Sequence, residues 1–511
     1  MTSTLPTTPV ARPTSSPVPA GIARRPWAAL VVLVLAVVLL SVDGTVVALA
    51  VPALSADLAP TSTQLLWIGD VYSFAIAGFL VTMGGVADRF GRRRVLLVGT
   101  TAFGLTSLAA GLAPTPETLI AARALQGVAA ATLMPSTLAL IRALFPDAAR
   151  RTRAVAIWAA GAYAGAAAGP AVGGLLLEHF WWGSVFLVNV PVVVLLLVGT
   201  VALVPESRDP HPGRLDLVSA GLSLLAVVPV VLAVKEAAVH GVTPLAAAAL
   251  VVGVLAGVTF VRRQRALSRA GRAPLLDLAL FRDPTVRGAV GSTLVAVLAF
   301  SGLLYFFSQY LQLVRGLGPL QAGLWELPLT AAAVAVIPFA GRAAARFGQG
   351  RVIGAGLAVS AAGMALLAVG ESAAGYVVLA AALVLAGLGE GFAFTLSTDA
   401  VLSAVPADRA GAASAVSETA YELGVALGIG VLGSGLTLLY RSGLDGQPEE
   451  VRDSLAGALA HGSDEAVLLA QHAFVDAMQA VSLAAALLLS VAAVVAWRLI
   501  GRRRDEDVLD S

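Results

Sequence analysis

The chain contains no cysteine, which excludes disulfides, thiolate metal sites and cysteine nucleophiles. It contains one lysine, Lys235, so a G-x-x-x-x-G-K phosphate loop is impossible anywhere along it, and ATP hydrolysis by that route is excluded. Histidine is scarce too: His179, His211, His240, His461 and His472 fall near span ends or in loops, never at metal-ligand spacing. Only 13% of the 511 residues are charged, against 58% apolar. With a mean hydropathy of +0.87, no soluble core could bury that surface, and the composition is that of an all-α integral membrane protein of many spans. No grouping of His, Cys or acids supplies a nucleophile–base pair or metal cluster, so neither an enzyme nor a cofactor is expected. The net charge of +2 calls for no nucleic-acid partner.

Residues 1–26, rich in Thr, Ser and Pro, read as a disordered cytoplasmic tail. They are not a signal peptide, because the next apolar run is too long for an h-region and contains Asp43. Apolar runs of about 20 residues predict fourteen transmembrane helices: 27–51, 64–87, 95–113, 117–144, 154–177, 184–204 and 215–236, then 243–261, 288–313, 321–341, 352–370, 375–402, 412–440 and 471–498.

Arginine placement tests the count. With an even number of spans, alternate loops share the side of the termini. Those loops hold Arg89, Arg92, Arg93 and Arg94; Arg150, Arg151 and Arg153; Arg208 and Arg214. Further along come Arg262, Arg263, Arg265, Arg269 and Arg272; Arg342, Arg346 and Arg351; Arg409; and Arg502, Arg503 and Arg504. The opposite loops hold Arg315, Arg441 and Arg452. The positive-inside rule places both termini in the cytoplasm. The segment 275–287, with Asp277, is too polar to span and is expected along the cytoplasmic interface; the acidic segment 441–470 is the one long external loop.

Within the fifth span, Gly165-Ala166-Ala167-Ala168-Gly169-Pro170-Ala171-Val172-Gly173-Gly174 combines small residues that let backbones touch with a proline that weakens the helix ladder. The stretch resembles the antiporter signature of the major facilitator superfamily. After the second span, Gly84-Gly85-Val86-Ala87-Asp88-Arg89-Phe90-Gly91-Arg92-Arg93-Arg94 resembles the cytoplasmic loop signature of the same family. There Asp88 can pair with an arginine or cap the next helix, as a latch that holds one conformation. A degenerate copy, Gly341 to Gly348, has Ala345 in place of the acid, and two copies suggest two homologous halves.

Leu119 to Gly127 resembles the family's intramembrane arginine motif, centred here on Arg123. Val42 to Pro52 and Phe186 to Pro191 resemble the first and sixth helices of its fourteen-helix drug:proton antiporters. Trp67 to Ser73, Pro319 to Leu324 and Ala410 to Gly424 together are similar to exporters of quaternary ammonium compounds and cationic dyes. In that group the tenth helix can carry an acid after its proline, whereas here Glu326 precedes Pro328.

A charge in hydrocarbon costs about 2.5–3.5 kcal/mol on insertion scales, so intramembrane acids are candidates for function. Glu418 and Glu422 share a helix face, roughly 9 and 15 Å from the cytoplasmic end of their span. Such a pair can load a proton from one side and release it to the other, give up a proton to a bound cation, or serve as a protonated packing pair. Asp43 lies about 24 Å along the first helix and Asp70 about 9 Å into the second, at depths similar to Arg123. Arg123 is expected to pair with Asp43 or Asp70, either structurally or as a switch that protonation of Asp43 releases. Glu390, mid-helix, can face a cavity. Glu326 lies near the external interface and is a possible substrate contact, while Asp399 and Asp476 read as solvated helix-end acids. In the ninth helix Tyr305, Phe306, Phe307, Gln309, Tyr310 and Gln312 offer aromatic faces to lipophilic cations or pack against neighbouring helices.

The resemblance implies a major facilitator fold: two six-helix bundles (27–204 and 275–498) with two additional central helices in 205–274, and a cytoplasmic tail at 499–511. It implies a monomer in the bacterial plasma membrane that exports lipophilic, cationic compounds in exchange for protons. The alternative is a dedicated proton-coupled exporter of one endogenous metabolite or antibiotic.

Overall fold

The computed structural model describes residues 26–208, 216–272, 274–276, 278–372, 375–404 and 410–500. Apart from Pro26, Leu499 and Ile500, the expected tails lie outside them, as do Arg214, Asp277, Arg409, Arg502, Arg503 and Arg504. Among the described residues, fourteen helices are long and apolar enough to cross a membrane, and no strand occurs. The first six are α1 (Pro26–Leu58), α2 (Ser62–Phe90), α3 (Arg92–Gly111), α4 (Pro116–Leu144), α5 (Ala148–His179) and α6 (Ser184–Leu203). A hairpin follows, α7 (Leu217–His240) and α8 (Pro244–Arg269). The last six are α9 (Pro284–Val314), α10 (Pro319–Phe347), α11 (Gln349–Ser372), α12 (Tyr376–Ser403), α13 and α14 (Asp464–Leu499). Helix α13 runs from Ala410–Leu427 through a π-helical turn, Gly428–Leu432, into Gly433–Ser442.

Helix starts follow local chemistry. Thr61 and Thr115 close capping boxes at α2 and α4, Asp147 and Ser463 cap α5 and α14, and Pro116, Pro244 and Pro284 occupy first turns, where a missing N–H costs nothing. Several helices outrun their apolar stretch. Helix α1 continues through Pro52 to Leu58 rather than ending at 51, and α8 continues past its first arginines to Arg269. Hydropathy marks where a chain leaves hydrocarbon, while backbone hydrogen bonding carries the helix on into the interface.

Packing sorts the spans. In one group α1 lies on α5 and α6, α2 and α3 on α4; in the other α11 lies on α12 and α14, α10 on α12, and α9 on α13 and α14. The groups meet along two seams, α5 against α10 and α2 against α13. Helix α8 packs on α7, and α7 reaches the rest through α2 and α13. We call the face carrying the chain ends at Pro26 and Leu499 the terminal face and the opposite one the distal face.

The loop between α13 and α14 is folded, with short helices Glu449–Asp453 and Leu455–His461. Asp453 accepts hydrogen bonds from the Ser62 N–H (3.2 Å) and hydroxyl (3.1 Å) at the start of α2. Arg441 pairs with Glu449 at 2.7 Å and holds its carboxyl below the usual carboxylate range. The loop thereby ties the second group to the first across the distal face.

The α7–α8 hairpin is fastened near the terminal face by Asp216, which accepts from the Ser219 N–H (3.0 Å) and Arg263 (2.8 Å). Burial pushes this carboxyl up, but the bonds from Arg263 and Ser219 outweigh it and hold it below its ordinary value of 3.8. Because the folded pKa is depressed, the contribution is present above the ordinary value and lost as pH falls through the folded one. Asp216→Asn is therefore expected to speed amide exchange across 217–240 at neutral pH, with little difference from wild type once acid has discharged Asp216. An exchange profile unchanged at neutral pH would rule this anchor out.

Candidate functional site

Helix α2 is the spine of the candidate site. At about 100° per residue, Asp70, Tyr72 and Ser73 leave it in three directions, toward α7, α4 and α13.

The Tyr72 side leads to a buried polar network. Asp43 of α1 accepts from Arg123 (2.7 Å), Gln126 (2.9 Å) and Asn189 (2.6 Å), and Gln126 and Asn189 both donate to Ser107 of α3, at 2.7 and 3.1 Å. The Arg123 guanidinium lies 4.2 Å from the Tyr72 ring centroid and 5.6 Å from that of Phe186. Asp43 and Arg123 are respectively 0% and 1% exposed, so the charges are compensated by each other and by donors from two helices. Of the two partners expected for Arg123, the structure selects Asp43. Gln126 and Asn189 lay inside sequence motifs already noted, but their convergence on Asp43 emerges only in three dimensions.

Asp70 is instead paired with Lys235 of α7, Nζ to Oδ2 2.7 Å, with both side chains fully buried. This corrects the alternative of an Asp70–Arg123 pair: α2 turns Asp70 away from α4. The Lys235 ammonium also stands 3.7 Å from the Trp67 ring centroid.

On the third side Ser73 hydrogen-bonds Glu422 of α13. Glu422 is buried, while Glu418, one turn nearer the terminal face, and Glu390 of α12 keep partial exposure. Tyr421 and Phe394 stack edge to face, centroids 5.5 Å apart, and join α13 to α12 beside these acids. Among the described residues, no basic side chain forms a salt bridge with any of the three carboxyls. Glu326, expected near interfacial water, is 2% exposed and shares a hydrogen bond with Ser308 of α9, so neighbouring residues rather than interfacial water cover this part of α10. Asp399 is exposed near the end of α12, but Asp476, also exposed, is not a helix-end acid: α14 begins at Asp464, outrunning its apolar stretch, and carries Asp476 well inside the helix. Glu371 lies one residue past its predicted span; α11 continues through it, and it is buried with an oxygen 2.9 Å from the Ser482 hydroxyl of α14.

The glycine-rich stretch of α5 serves two neighbours. A Cβ on Gly165, Gly169 or Gly173 would overlap α1 at Val38, Thr45 or Val46. Gly174 faces the Pro319–Leu320 backbone of α10, and Gly323 of α10 rests on the Pro170 carbonyl. This close approach lies toward the distal end of the α5–α10 seam. Nearby, the Tyr305 hydroxyl donates to the Leu65 carbonyl (2.8 Å) and Gln312 to the Leu49 carbonyl (3.1 Å), so α9 also closes on α1 and α2. Tyr310 donates to the Glu371 carbonyl at 2.7 Å, Gln309 lies along α9 on the Tyr305 carbonyl at 3.3 Å, and Phe306 stands edge-on to Tyr305.

At the terminal face Asp88 pairs with Arg92 at 2.8 Å. Gly91 takes φ +106, and a Cβ there would strike Glu206, which also accepts from the Arg93 N–H. Arg89 is exposed beside the Phe90 ring. The degenerate copy repeats this shape, with Gly348 at φ +86 and Arg346 beside Phe347. No group of three His, Cys or acidic residues able to hold a metal occurs among the described residues.

The family model for the Major Facilitator Superfamily matches residues 33–429. The multidrug efflux pump LfrA of Mycolicibacterium smegmatis is 45% identical over 447 residues, covering 86% of this chain and 88% of that one. The methyl viologen resistance protein SmvA of Salmonella typhimurium is 36% identical over 489 residues, covering 93% and 98%. Among solved structures, a bacterial homologue of the human lysosomal transporter Spinster, in an inward-facing and unoccupied conformation, matches with a TM-score of 0.65 at 16% identity, covering 93% of this chain and 97% of that one; at that identity the likeness speaks for the fold alone.

Proposed function

Because the chain belongs to the Major Facilitator Superfamily, a family of multi-pass membrane transporters, we propose that it exports lipophilic cations from the cytoplasm in exchange for protons. One observation carries this reading: Glu390, Glu418 and Glu422 sit within the membrane beside the α2–α13 seam with no salt-bridge partner among the described residues. An unpaired carboxyl in hydrocarbon is costly when charged, so it takes either a proton or an organic cation as its counter-charge. Competition between the two couples their movements in opposite directions. Asp43 and Arg123 form the structural counterpart, a pair whose partial release on protonation shifts α1 against α4. The names of the two relatives support drug export, and methyl viologen is itself an organic dication.

The arginine-rich terminal face is the cytoplasmic one on this reading, and 27–204 and 275–498 are the two bundles that rock about the site as a monomer. The contacts of Gly174, Gly323, Tyr305 and Gln312 with the opposite group lie toward the distal face, so this arrangement is closed on the outside. Purified protein in liposomes, given ethidium and an imposed pH gradient, tests the proposal. Wild type is expected to move the dye. Glu422→Gln and Glu418→Gln are expected to fall at least about tenfold, and Asp43→Asn to lose gradient dependence. Folded protein that moves no cationic dye would redirect the search to a dedicated, uncharged substrate.

A further inference from the structure

Lys235 is the single lysine among 33 basic residues, and it is 0% exposed in a helix outside the two groups of six. Its ammonium lies between a carboxylate, Asp70 Oδ2 at 2.7 Å, and an indole face, the Trp67 ring centroid at 3.7 Å. A carboxylate opposite an aromatic face is also the chemistry that recognises an organic cation.

The pair is poorly satisfied. The ammonium meets Oδ2 at 2.7 Å, and among the described residues no other side chain shares a hydrogen bond with either group. Asp43, by contrast, takes three donors from three side chains. A buried ion pair lacking its supplementary hydrogen bonds repays its desolvation badly, so exchanging one cation for another there sacrifices little. Lysine suits such exchange, being a point charge on a flexible stem, where arginine would fix a bidentate clamp. Across the pair Gly430, inside the π-helical turn of α13, has no side chain to hold the ammonium in place, and a Cβ there would contact Asp70 Oδ2.

We infer that Asp70 and Trp67 form a binding site for monovalent organic cations, and that Lys235 is its tethered occupant, displaced when substrate enters. The inference rests on the cation-export reading above. Lys235 then sets the affinity threshold of the site, since every cation must outcompete it.

Binding of tetraphenylphosphonium to the purified full chain, by isothermal titration, tests this with wild type, Lys235→Met and Lys235→Met/Asp70→Asn. Lys235→Met, which vacates the site, is expected to bind about tenfold or more tightly. The double variant removes both charges, so it keeps the test open if the single variant fails to fold, and it is expected to bind more weakly than wild type. Wild-type binding left unchanged by both substitutions overturns the tethered-lysine inference alone. Failure of wild type and every variant to bind overturns the cation-export reading with it.

Discussion

Arg123→Met is expected to destabilise the folded chain by about 3–5 kcal/mol, because it leaves the Asp43 carboxylate buried without its counter-charge. Gln126 and Asn189 still donate to Asp43, but two neutral amides do not replace a guanidinium. Thermal midpoints of the purified protein, read by intrinsic fluorescence, should fall steeply for Arg123→Met. They should recover most of the way in Asp43→Asn/Arg123→Met, where no charge remains to be buried. A double variant no better than the single one would show that Arg123 matters for its packing on Tyr72 and Phe186 rather than for its charge. The recovered variant should still fail in the pH-gradient assay, which separates the network's part in folding from its part in coupling.

The second large effect is expected at Gly323, where α10 rests on the Pro170 carbonyl. Gly323→Val forces a side chain into that contact, and overpacking of about 1–3 kcal/mol shifts a two-state equilibrium about 5–150-fold. The distal face should open. Since the chain has no cysteine, cysteines at the exposed positions Phe180 and Leu468 can be spin-labelled without background, one on each group. The label–label distance distribution should move to longer values in Gly323→Val and stay unchanged in Gly341→Val, whose added Cβ meets open space on the same helix. Equal distributions in both would show that the α5–α10 contact does not hold the distal face closed.

Much of this architecture is legible in the residues. Long apolar runs and alternating arginines locate fourteen spans because hydrocarbon permits little else, and opposite charges at one depth narrow the partner of Arg123 to Asp43 or Asp70, a choice that packing makes. The Asp70 partner was harder to see. Lys235 falls in the last turns of a predicted span, a position where lysines ordinarily snorkel to water, and nothing local reveals that α7 lies along α2. Glu371 was hidden for a related reason: hydropathy drops at residue 370, yet α11 continues through Ser372 and packs on α14. Glu326 read as interfacial by its distance from a helix end, whereas burial depends on which neighbours cover that end. Depth along one helix can be counted from sequence; azimuth between helices is set by packing.

The π-helical turn at Gly428–Leu432 also acts as a phase shifter. A π turn holds one residue more than the α turn it replaces, so the glutamates before it and the Gly433–Ser442 segment after it obey different angular registers. If the same residues took plain α geometry with none removed, everything beyond would swing by one residue's rotation, about 100°. Arg441 would then point away from Glu449 and Asp453, and the distal loop would lose its moorings with none of its own residues altered. A one-residue deletion that closes the turn keeps the present register, so substitutions that stiffen this segment into α geometry at full length are the less tolerable change, even though its glycines and aliphatic residues look interchangeable on paper.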